Sequence, residues 1–146
     1  MADQNDMNSM IIEAYRANAG VLGEDVAGGH FVGKRLVLLH HVGRVSGTER
    51  IAPLVAATDG DAYLVAGSMG GAPKDPDWVA NVEDGPEELT IEVGDQTLRA
   101  RATVVRGPSP EWERLYGIWA EYWPDAKEYE THTDRKFPVV RLEPVA

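Results

Sequence analysis

The sequence contains no cysteine, no long apolar run and few basic residues. Without cysteine the chain can form neither a disulfide framework nor a thiolate metal site, which fits a reducing compartment. No segment approaches the ~20 consecutive apolar residues needed to cross a bilayer. Residues 1–6 are acidic and polar, unlike a secretory signal. These absences predict a cytoplasmic protein without stable membrane insertion.

Acidic side chains outnumber basic ones, and the formal net charge is -10. A nucleic-acid-binding surface needs clustered basic residues to neutralise phosphates, so this balance argues against a nucleic-acid partner. Any anionic ligand must instead be drawn by a local group of positive side chains. The 146 residues suffice for one domain with a substantial core. We expect a single domain over 1–146, with 1–9 as a flexible N-terminus.

A glycine-rich stretch between an apolar run and a helix is the first candidate binding segment. Residues 62–66 are strand-like, and the stretch 67–81 that follows contains three glycines, Lys74 and an Asp75-Pro76 pair. Asp75 is suited to cap a helix that starts at Pro76. Glycines allow close backbone approach, and a helix start adds positive field, so the segment suits an anionic ligand. A simple tight connection is the alternative.

A polar turn over 43–50 is the second candidate. It offers two guanidinium groups, two hydroxyls and two glycines, and arginine matches phosphate and carboxylate oxygens well. A solvated hairpin loop is the alternative. The preceding His40 and His41 should point to opposite faces of a strand, and no cysteine accompanies them, so we expect hydrogen-bonded histidines and no metal site.

Alternating and continuous apolar patterns predict short strands joined mainly by hairpin turns, with few helices. Such a pattern favours an antiparallel barrel over a doubly wound sheet. One helix should carry three of the four tryptophans, as core or as a lid over a planar ligand. The predicted strands are 36–42, 51–58, 62–66, 89–93, 96–105 and 137–142, and the predicted helices are 8–19, 76–82, one opening at 109–111, and 125–131.

Several spaced motifs then occur in order: 13–20, Gly43-Arg44-Val45-Ser46-Gly47 with Arg50, 70–76 with Trp78 and Asn81, and Thr133-Asp134-Arg135 before 137–139. With these motifs the chain resembles the deazaflavin-dependent nitroreductase family from about Ile11 to Pro144. The resemblance implies an α+β, mainly β fold, a flavin-reductase-like split β-barrel of about six mostly antiparallel strands with flanking helices. It also implies coenzyme F420 as the cofactor.

The resemblance assigns cofactor contacts to three segments. It places phosphate and tail carboxylates on the arginine turn, the deazaflavin along the end of the strand at 62–66, and further contacts at a lysine and a helix start. The implied cofactor-binding residues are Arg44, Val45, Ser46, Arg50, Ala66, Gly67, Ser68, Met69, Lys74, Asp77, Trp78, Val79, Ala80 and Asn81.

For the reaction, the resemblance implies hydride transfer from the reduced deazaflavin to a planar electron-poor acceptor such as a quinone, enone or nitroaromatic. Ser68 and Tyr129 are the candidate proton donors, and Val55, Trp123, Ala126 and Tyr129 form the expected substrate pocket. Only Tyr129 retains a family tyrosine there, so the acceptor is open. A non-catalytic deazaflavin carrier and a reductase using flavin mononucleotide are alternatives. We expect a monomer or weak dimer.

Overall fold

The computed structural model describes residues 4–145, with side chains from Met7 onward. The chain folds as an α+β structure with seven strands and four α-helices among these residues. The strands are β1 (Leu36–Val42), β2 (Glu49–Val55), β3 (Ala57–Asp59), β4 (Ala62–Ala66), β5 (Glu88–Val93), β6 (Gln96–Val105) and β7 (Val139–Pro144). The helices are α1 (Gln4–Ala17), α2 (Asp77–Glu83), α3 (Pro110–Tyr122) and α4 (Ala126–Tyr129).

All strand pairs are antiparallel, and the strands lie in the order β2-β1-β5-β6-β7-β4-β3. The two outer strands, β2 and β3, are consecutive in the chain and separated only by Ala56. Because so short a link cannot span a flat sheet, the sheet must curl until its edges meet. Ala56 is fully buried at this corner, and its N–H donates to the carbonyl of Arg35 at 3.0 Å. The predicted split barrel is confirmed.

The corner at Ala56 also explains why seven strands replace the predicted six. The single strand expected over 51–58 is wrong, because the chain leaves β1 at this residue and continues beside β4. The strands predicted at 36–42, 62–66 and 96–105 are confirmed at both ends. The last strand begins at Val139 rather than 137, since Pro138 has no N–H to donate to a ladder.

The first helix starts earlier than predicted. It begins at Gln4, so residues 4–9 are helical and the predicted caps at 8 and 9 are wrong, whereas the flexibility expected over 1–9 stays a prediction. Residues 1–3 lie outside the described part of the chain. The helix ends at Ala17, and Gly20, with φ at 89°, donates its N–H to the carbonyl of Tyr15 at 2.8 Å. This is the termination that glycine was expected to supply.

The tryptophan-bearing helix α3 is part of the core. Ser109 accepts the N–H of Trp112 at 3.1 Å and Pro110 opens the first turn, as predicted. Trp112 is 8% exposed and Trp119 is 3% exposed. They pack with buried residues of β4 and β7 on the outside of the barrel. The tryptophan faces are therefore used for packing, and α3 does not form an open lid.

Candidate functional site

The arginine turn folds tightly after β1. The N–H of Gly43 donates to the carbonyl of Thr48 at 2.9 Å, and the N–H of Thr48 donates to the hydroxyl of Ser46 at 3.2 Å. A side chain at Gly43 would lie 2.5 Å from Ser46 Oγ and 3.6 Å from Arg50 Nε. The hydroxyl of Ser46 and the guanidinium of Arg50 therefore both lie next to the backbone of Gly43, in space that a side chain at this position would occupy. The turn brings together two of the predicted cofactor contacts.

A buried pair of side chains fixes this turn against α2. Asn81 Oδ1 accepts the backbone N–H of Arg44 at 3.1 Å, and Asn81 Nδ2 lies 3.0 Å from His41 Nδ1. Because an amide nitrogen only donates, His41 accepts at Nδ1 and carries its proton on Nε2. Burial lowers the pKa of His41, and the nearby charge of Arg50 lowers it further. Asn81 is only 7% exposed, so it acts here as a support for the turn.

The cations predicted to bind the cofactor are not paired with carboxylates. Arg44, Arg50 and Lys74 are exposed, and none of them forms a salt bridge within the described residues 4–145. The absence of salt bridges sets these three cations apart, because carboxylates are abundant in this acidic protein and form salt bridges with five other arginines: Arg16, Arg106, Arg114, Arg135 and Arg141. Unpaired cations remain available for an external anion.

The three glycines of the segment after β4 have different roles. A side chain at Gly67 would lie 2.6 Å from Val79 Cγ2, so this glycine lets α2 pack against the end of β4. A side chain at Gly71, where φ is 88°, would lie 2.5 Å from the carbonyl oxygen of Tyr129. A side chain at Gly70 would meet open space. The segment is therefore packed at both ends and open at Gly70.

Asp75 does not cap α2, and that prediction is wrong. The N-cap position is Pro76, and the helix begins at Asp77. The carboxylate of Asp75 instead accepts from Arg135 at 2.5 Å and from Arg106 at 2.9 Å. Two guanidinium groups outcompete the weaker amide donors of the first turn for this carboxylate. Arg135 was part of a sequence motif but was not predicted as a site residue.

Ser68 and Met69 occupy the open part of the segment. Ser68 is 8% exposed, and its hydroxyl makes no hydrogen bond to another described residue. No fully buried side-chain polar atom of the described residues lacks a partner, so this hydroxyl is not completely enclosed. Met69 is 56% exposed and has a φ of 45°, an uncommon conformation for a residue with a side chain. Met69 is therefore accessible from outside the barrel, whereas Ser68 is largely buried.

Tyr129, the other candidate proton donor, lies beside this segment. Its backbone packs against Gly71, and its hydroxyl oxygen lies 3.1 Å from Trp123 Nε1. The indole N–H is a donor only, so the tyrosine oxygen accepts it and its own proton is free to be donated elsewhere. Burial raises the pKa of Tyr129, only partly offset by the Trp123 hydrogen bond, so the hydroxyl stays protonated at neutral pH.

The expected substrate-pocket residues come together, although not all are accessible. Val55, Trp123, Ala126 and Tyr129 belong to one apolar cluster. Ala126 is fully buried and Trp123 is 5% exposed, stacked on Phe31 at 5.8 Å, so neither presents a free surface. Val55 and Tyr129 are half-buried. Any acceptor would meet these two side chains from outside the cluster.

The remaining predicted cofactor residues divide between surface and core. Val45 is 91% exposed at the tip of the arginine turn, whereas Trp78 and Val79 are buried in the barrel core. Asp77 is exposed, Ala80 is half-buried and Ala66 is 6% exposed. The surface residues border the turn and the glycine segment. Trp78 and Val79 pack α2 against the core, and their cofactor contacts stay a prediction.

Two cavities lie near the candidate site. One, of about 260 Å³, lies between α3 and residues 130–137. The other, of about 200 Å³, lies beside β1, β5 and the end of α2 and is lined in part by His41 and Asn81. Neither is lined by Ser68 or Tyr129. Neither of these two cavities therefore places an acceptor against Ser68 or Tyr129.

The curled antiparallel barrel with a supported basic turn defines the class of flavin-reductase-like split-barrel proteins. The chain belongs to the F420H(2)-dependent quinone reductase family, because the sequence model of that family matches residues 10–144. It is therefore an F420-dependent oxidoreductase, and reduced coenzyme F420 is its cofactor, as expected. The expected nitroreductase family is corrected to this quinone reductase family.

Individual relatives agree with this assignment. An F420H(2)-dependent quinone reductase of Mycobacterium tuberculosis is 33% identical over 129 residues, covering 88% of this chain and 83% of the relative. A solved F420-H2 dependent reductase (FDR-A) is 34% identical with a TM-score of 0.64, covering 74% of this chain and 93% of that one. Another structure, 33% identical with a TM-score of 0.64 over 74% of this chain and 79% of its own, is a domain-swapped dimer.

The oligomeric state and location are separate matters. The expected monomer or weak dimer stays a prediction, as does the cytoplasmic location. Within residues 4–145, no helix has the length and apolar character needed to span a bilayer.

Proposed function

We propose that this protein transfers hydride from reduced coenzyme F420 to a planar electron-poor acceptor, with quinones as the first class to test. The observation that carries the proposal is the basic turn with unpaired Arg44 and Arg50, fixed to α2 by Asn81. The family model covers 135 of the 146 residues, from 10 to 144 inclusive, so it includes every residue used in this argument. Enones and nitroaromatics are further candidate acceptors.

The donor set fits a cofactor with an anionic arm. Arg44, Arg50 and Lys74 supply full charges, and the turn adds the hydroxyl of Ser46 beside the guanidinium of Arg50. Phosphate and carboxylate oxygens are the natural partners of such donors. With a net charge of -10, the molecule as a whole repels an anion, so binding depends on these local donors. We assign them to the phosphate and the carboxylate tail.

The glycine segment suits the flat ring. Its open part at Gly70 leaves room for a ligand, and Ser68 and Met69 line the same surface. When bound, the reduced deazaflavin supplies the hydride. The protein's own part is to hold the ring and the acceptor in register and to limit water there.

The proton that accompanies the hydride needs a donor from the protein or from solvent. Tyr129 has its hydroxyl proton free because the oxygen accepts from Trp123. Its pKa is raised, so it carries the proton at neutral pH. The hydroxyl of Ser68, which has no hydrogen-bond partner among the described residues, is the second candidate. We assign proton donation to Tyr129, and we assign Ser68 to hydrogen bonding at the ring or acceptor.

Anaerobic mixing of the wild-type protein with reduced coenzyme F420 and a panel of quinones, enones and nitroaromatics tests the reaction. We expect cofactor oxidation that depends on both protein and acceptor. Tyr129→Phe should reduce turnover while leaving cofactor affinity nearly unchanged, since only the hydroxyl is removed. Tight cofactor binding without turnover of any acceptor would contradict the proposed enzymatic activity and support the alternative of a non-catalytic deazaflavin carrier.

Cofactor binding tests the basic donors separately from turnover. Arg50→Ala and Lys74→Ala should each weaken binding by roughly 1–3 kcal/mol, the usual range for hydrogen bonds to charged groups. Arg101→Ala is the matched control, because Arg101 is exposed on β6 and lies outside the proposed site. Wild-type affinity in both site variants would refute the assignment of these side chains.

A further inference from the structure

The guanidinium of Arg135 is surrounded by the glycine segment. Its Nη1 donates to the carbonyl of Gly67 at 2.9 Å, its Nη2 to the carbonyl of Ser68 at 3.0 Å, and its Nε to the carbonyl of Ala72 at 3.0 Å. Nη1 also donates to Asp75 at 2.5 Å. One planar fork therefore binds four acceptors in a segment of nine residues, from 67 to 75.

This fork is itself held from two sides. Asp75 is shared with Arg106, which in turn donates to Glu83 at the end of α2. The guanidinium carbon of Arg135 lies 4.7 Å from the centre of the Phe137 ring, a cation–π distance. The side chain of Arg135 is only 14% exposed. A planar cation fixed in this way imposes its geometry on the carbonyls that it binds.

The arrangement has a direct consequence for the backbone amides. Because the carbonyls of Gly67 and Ser68 turn inward to the guanidinium, the peptide N–H groups near them are free to turn outward. Ser68 has right-handed helical dihedrals, and Met69 and Gly70 have φ values of 45° and 65°. A right-handed residue followed by a left-handed one directs successive N–H groups to one side, a concavity that receives electron-rich atoms. The N–H groups of these three residues join no backbone hydrogen bond of the described loops.

We propose that Arg135 is a positioning residue for the cofactor ring, which holds the N–H groups of Ser68, Met69 and Gly70 toward the carbonyl-bearing edge of the deazaflavin. The inference rests on the proposed function. Four of the five N–H donors of Arg135 are engaged by the segment, including Asp75, so we assign Arg135 no direct ligand contact. Its role is distinct from that of Arg50, which we assign to the anionic arm.

The two roles can be separated with two ligands. One is intact coenzyme F420, and the other is the deazaflavin core that lacks the phosphate and the carboxylate tail. Arg135→Lys keeps the positive charge but loses the planar fork, so the segment should lose its outward amides. Arg50→Ala removes a donor for the arm only. Arg101→Lys, on the exposed face of β6, controls for the arginine-to-lysine change.

We expect Arg135→Lys to weaken binding of both ligands by the same factor, roughly tenfold, the equivalent of one charge-assisted hydrogen bond. Arg50→Ala should weaken binding of the intact cofactor and leave binding of the core unchanged. In the wild-type protein, addition of the core should shift the amide resonances of Ser68, Met69 and Gly70. These shifts should be lost in folded Arg135→Lys. If Arg135 only stabilised the fold, the folded variant would keep them.

The outcomes are distinguishable. If the wild-type protein binds neither ligand, the proposed function fails and the inference falls with it. If the wild-type protein binds both ligands and Arg135→Lys binds the core with wild-type affinity, only the positioning role is overturned. If Arg135→Lys does not fold, Asp75→Asn serves instead, because it removes the charge that holds Nη1 but keeps an oxygen acceptor. Asp75→Asn should weaken binding of the deazaflavin core by a smaller factor than complete loss of the guanidinium would. Wild-type affinity of Asp75→Asn for the core would also overturn the inference.

Discussion

Replacing Asn81 with alanine should destabilise the protein and loosen the arginine turn at the same time. The side chain makes two hydrogen bonds, to the imidazole of His41 at 3.0 Å and to the backbone N–H of Arg44 at 3.1 Å. It is 7% exposed, so water cannot easily take its place. No other side chain joins β1, α2 and the turn in this way within the described hydrogen bonds.

The magnitude follows from what each partner loses. His41 Nδ1 is buried and would be left without a donor, at a cost of about 1–3 kcal/mol. The N–H of Arg44 belongs to an exposed residue that water can reach, so its loss should cost about 0.5–1.5 kcal/mol. The sum is roughly 1.5–4.5 kcal/mol, which for a chain of this length lowers the melting temperature by roughly 3–18 °C.

Urea unfolding of Asn81→Ala, followed by cofactor titration of the folded variant, measures both effects. Asn18→Ala is the matched control, since Asn18 is exposed and donates to only one carbonyl, that of Val21. It should lose less than about 1 kcal/mol. If Asn81→Ala were as stable as this control and bound coenzyme F420 with wild-type affinity, the support of the turn by α2 would be wrong.

Three further predictions concern the fold around the site. The lowered pKa of His41 means that, below its ordinary pKa of about 6.5, the unfolded chain binds a proton that the folded chain does not. The free energy of unfolding should therefore fall as the pH falls from 7 toward 5 and level off below the folded-state pKa, and an unchanged slope in His41→Asn would contradict this. Gly71→Ala should destabilise by at least about 1 kcal/mol because its φ is positive and the added carbon meets Tyr129, whereas Gly117→Ala in α3 should stabilise by roughly 0.5–1 kcal/mol. Opposite signs in thermal melts are required. Ser109→Ala should lose about 1 kcal/mol by removing the cap of α3, and an unchanged melt would exclude the cap as a contributor.

Local patterns were sufficient for most of the strands and turns. The alternation along β6 predicts inward Ala100 and outward Arg99 and Arg101, and the structure agrees. Period-two alternation is a property of the strand itself, so it needs no knowledge of partners. The break at Ala56 could not be read this way, because the residues on both sides suit a strand and only closure of the barrel decides where the chain changes neighbours.

Long-range competition explains why Asp75 does not cap α2. Asp75 has the composition of a helix cap, yet Arg135, 60 residues later, and Arg106 take its carboxylate. Sequence spacing gives no sign of such a contact. Asn81 stays a predicted cofactor contact, and the structure shows that its side chain also bonds to His41 and to the backbone of Arg44. The basic turn itself was recognisable, because its donors lie within eight residues of one another.

The signal for Arg135 was present but ambiguous. Arg135 lies in the Thr133-Asp134-Arg135 motif just before the last strand. An arginine is normally expected at the surface, so the sequence gives no indication that this one is largely buried. Only the structure shows its fork filled by backbone carbonyls.

The central claim is that unpaired cations on a supported turn bind the anionic arm of a deazaflavin. Fluorescence titration of the wild-type protein with coenzyme F420 and with flavin mononucleotide tests it most directly. We expect tight binding of coenzyme F420 and weaker binding of flavin mononucleotide, whose anionic arm is shorter. The preference for coenzyme F420 over flavin mononucleotide should be smaller in Arg50→Ala, and it should also become smaller as the salt concentration rises. Equal affinity for the two ligands, or no binding of coenzyme F420, would contradict the account.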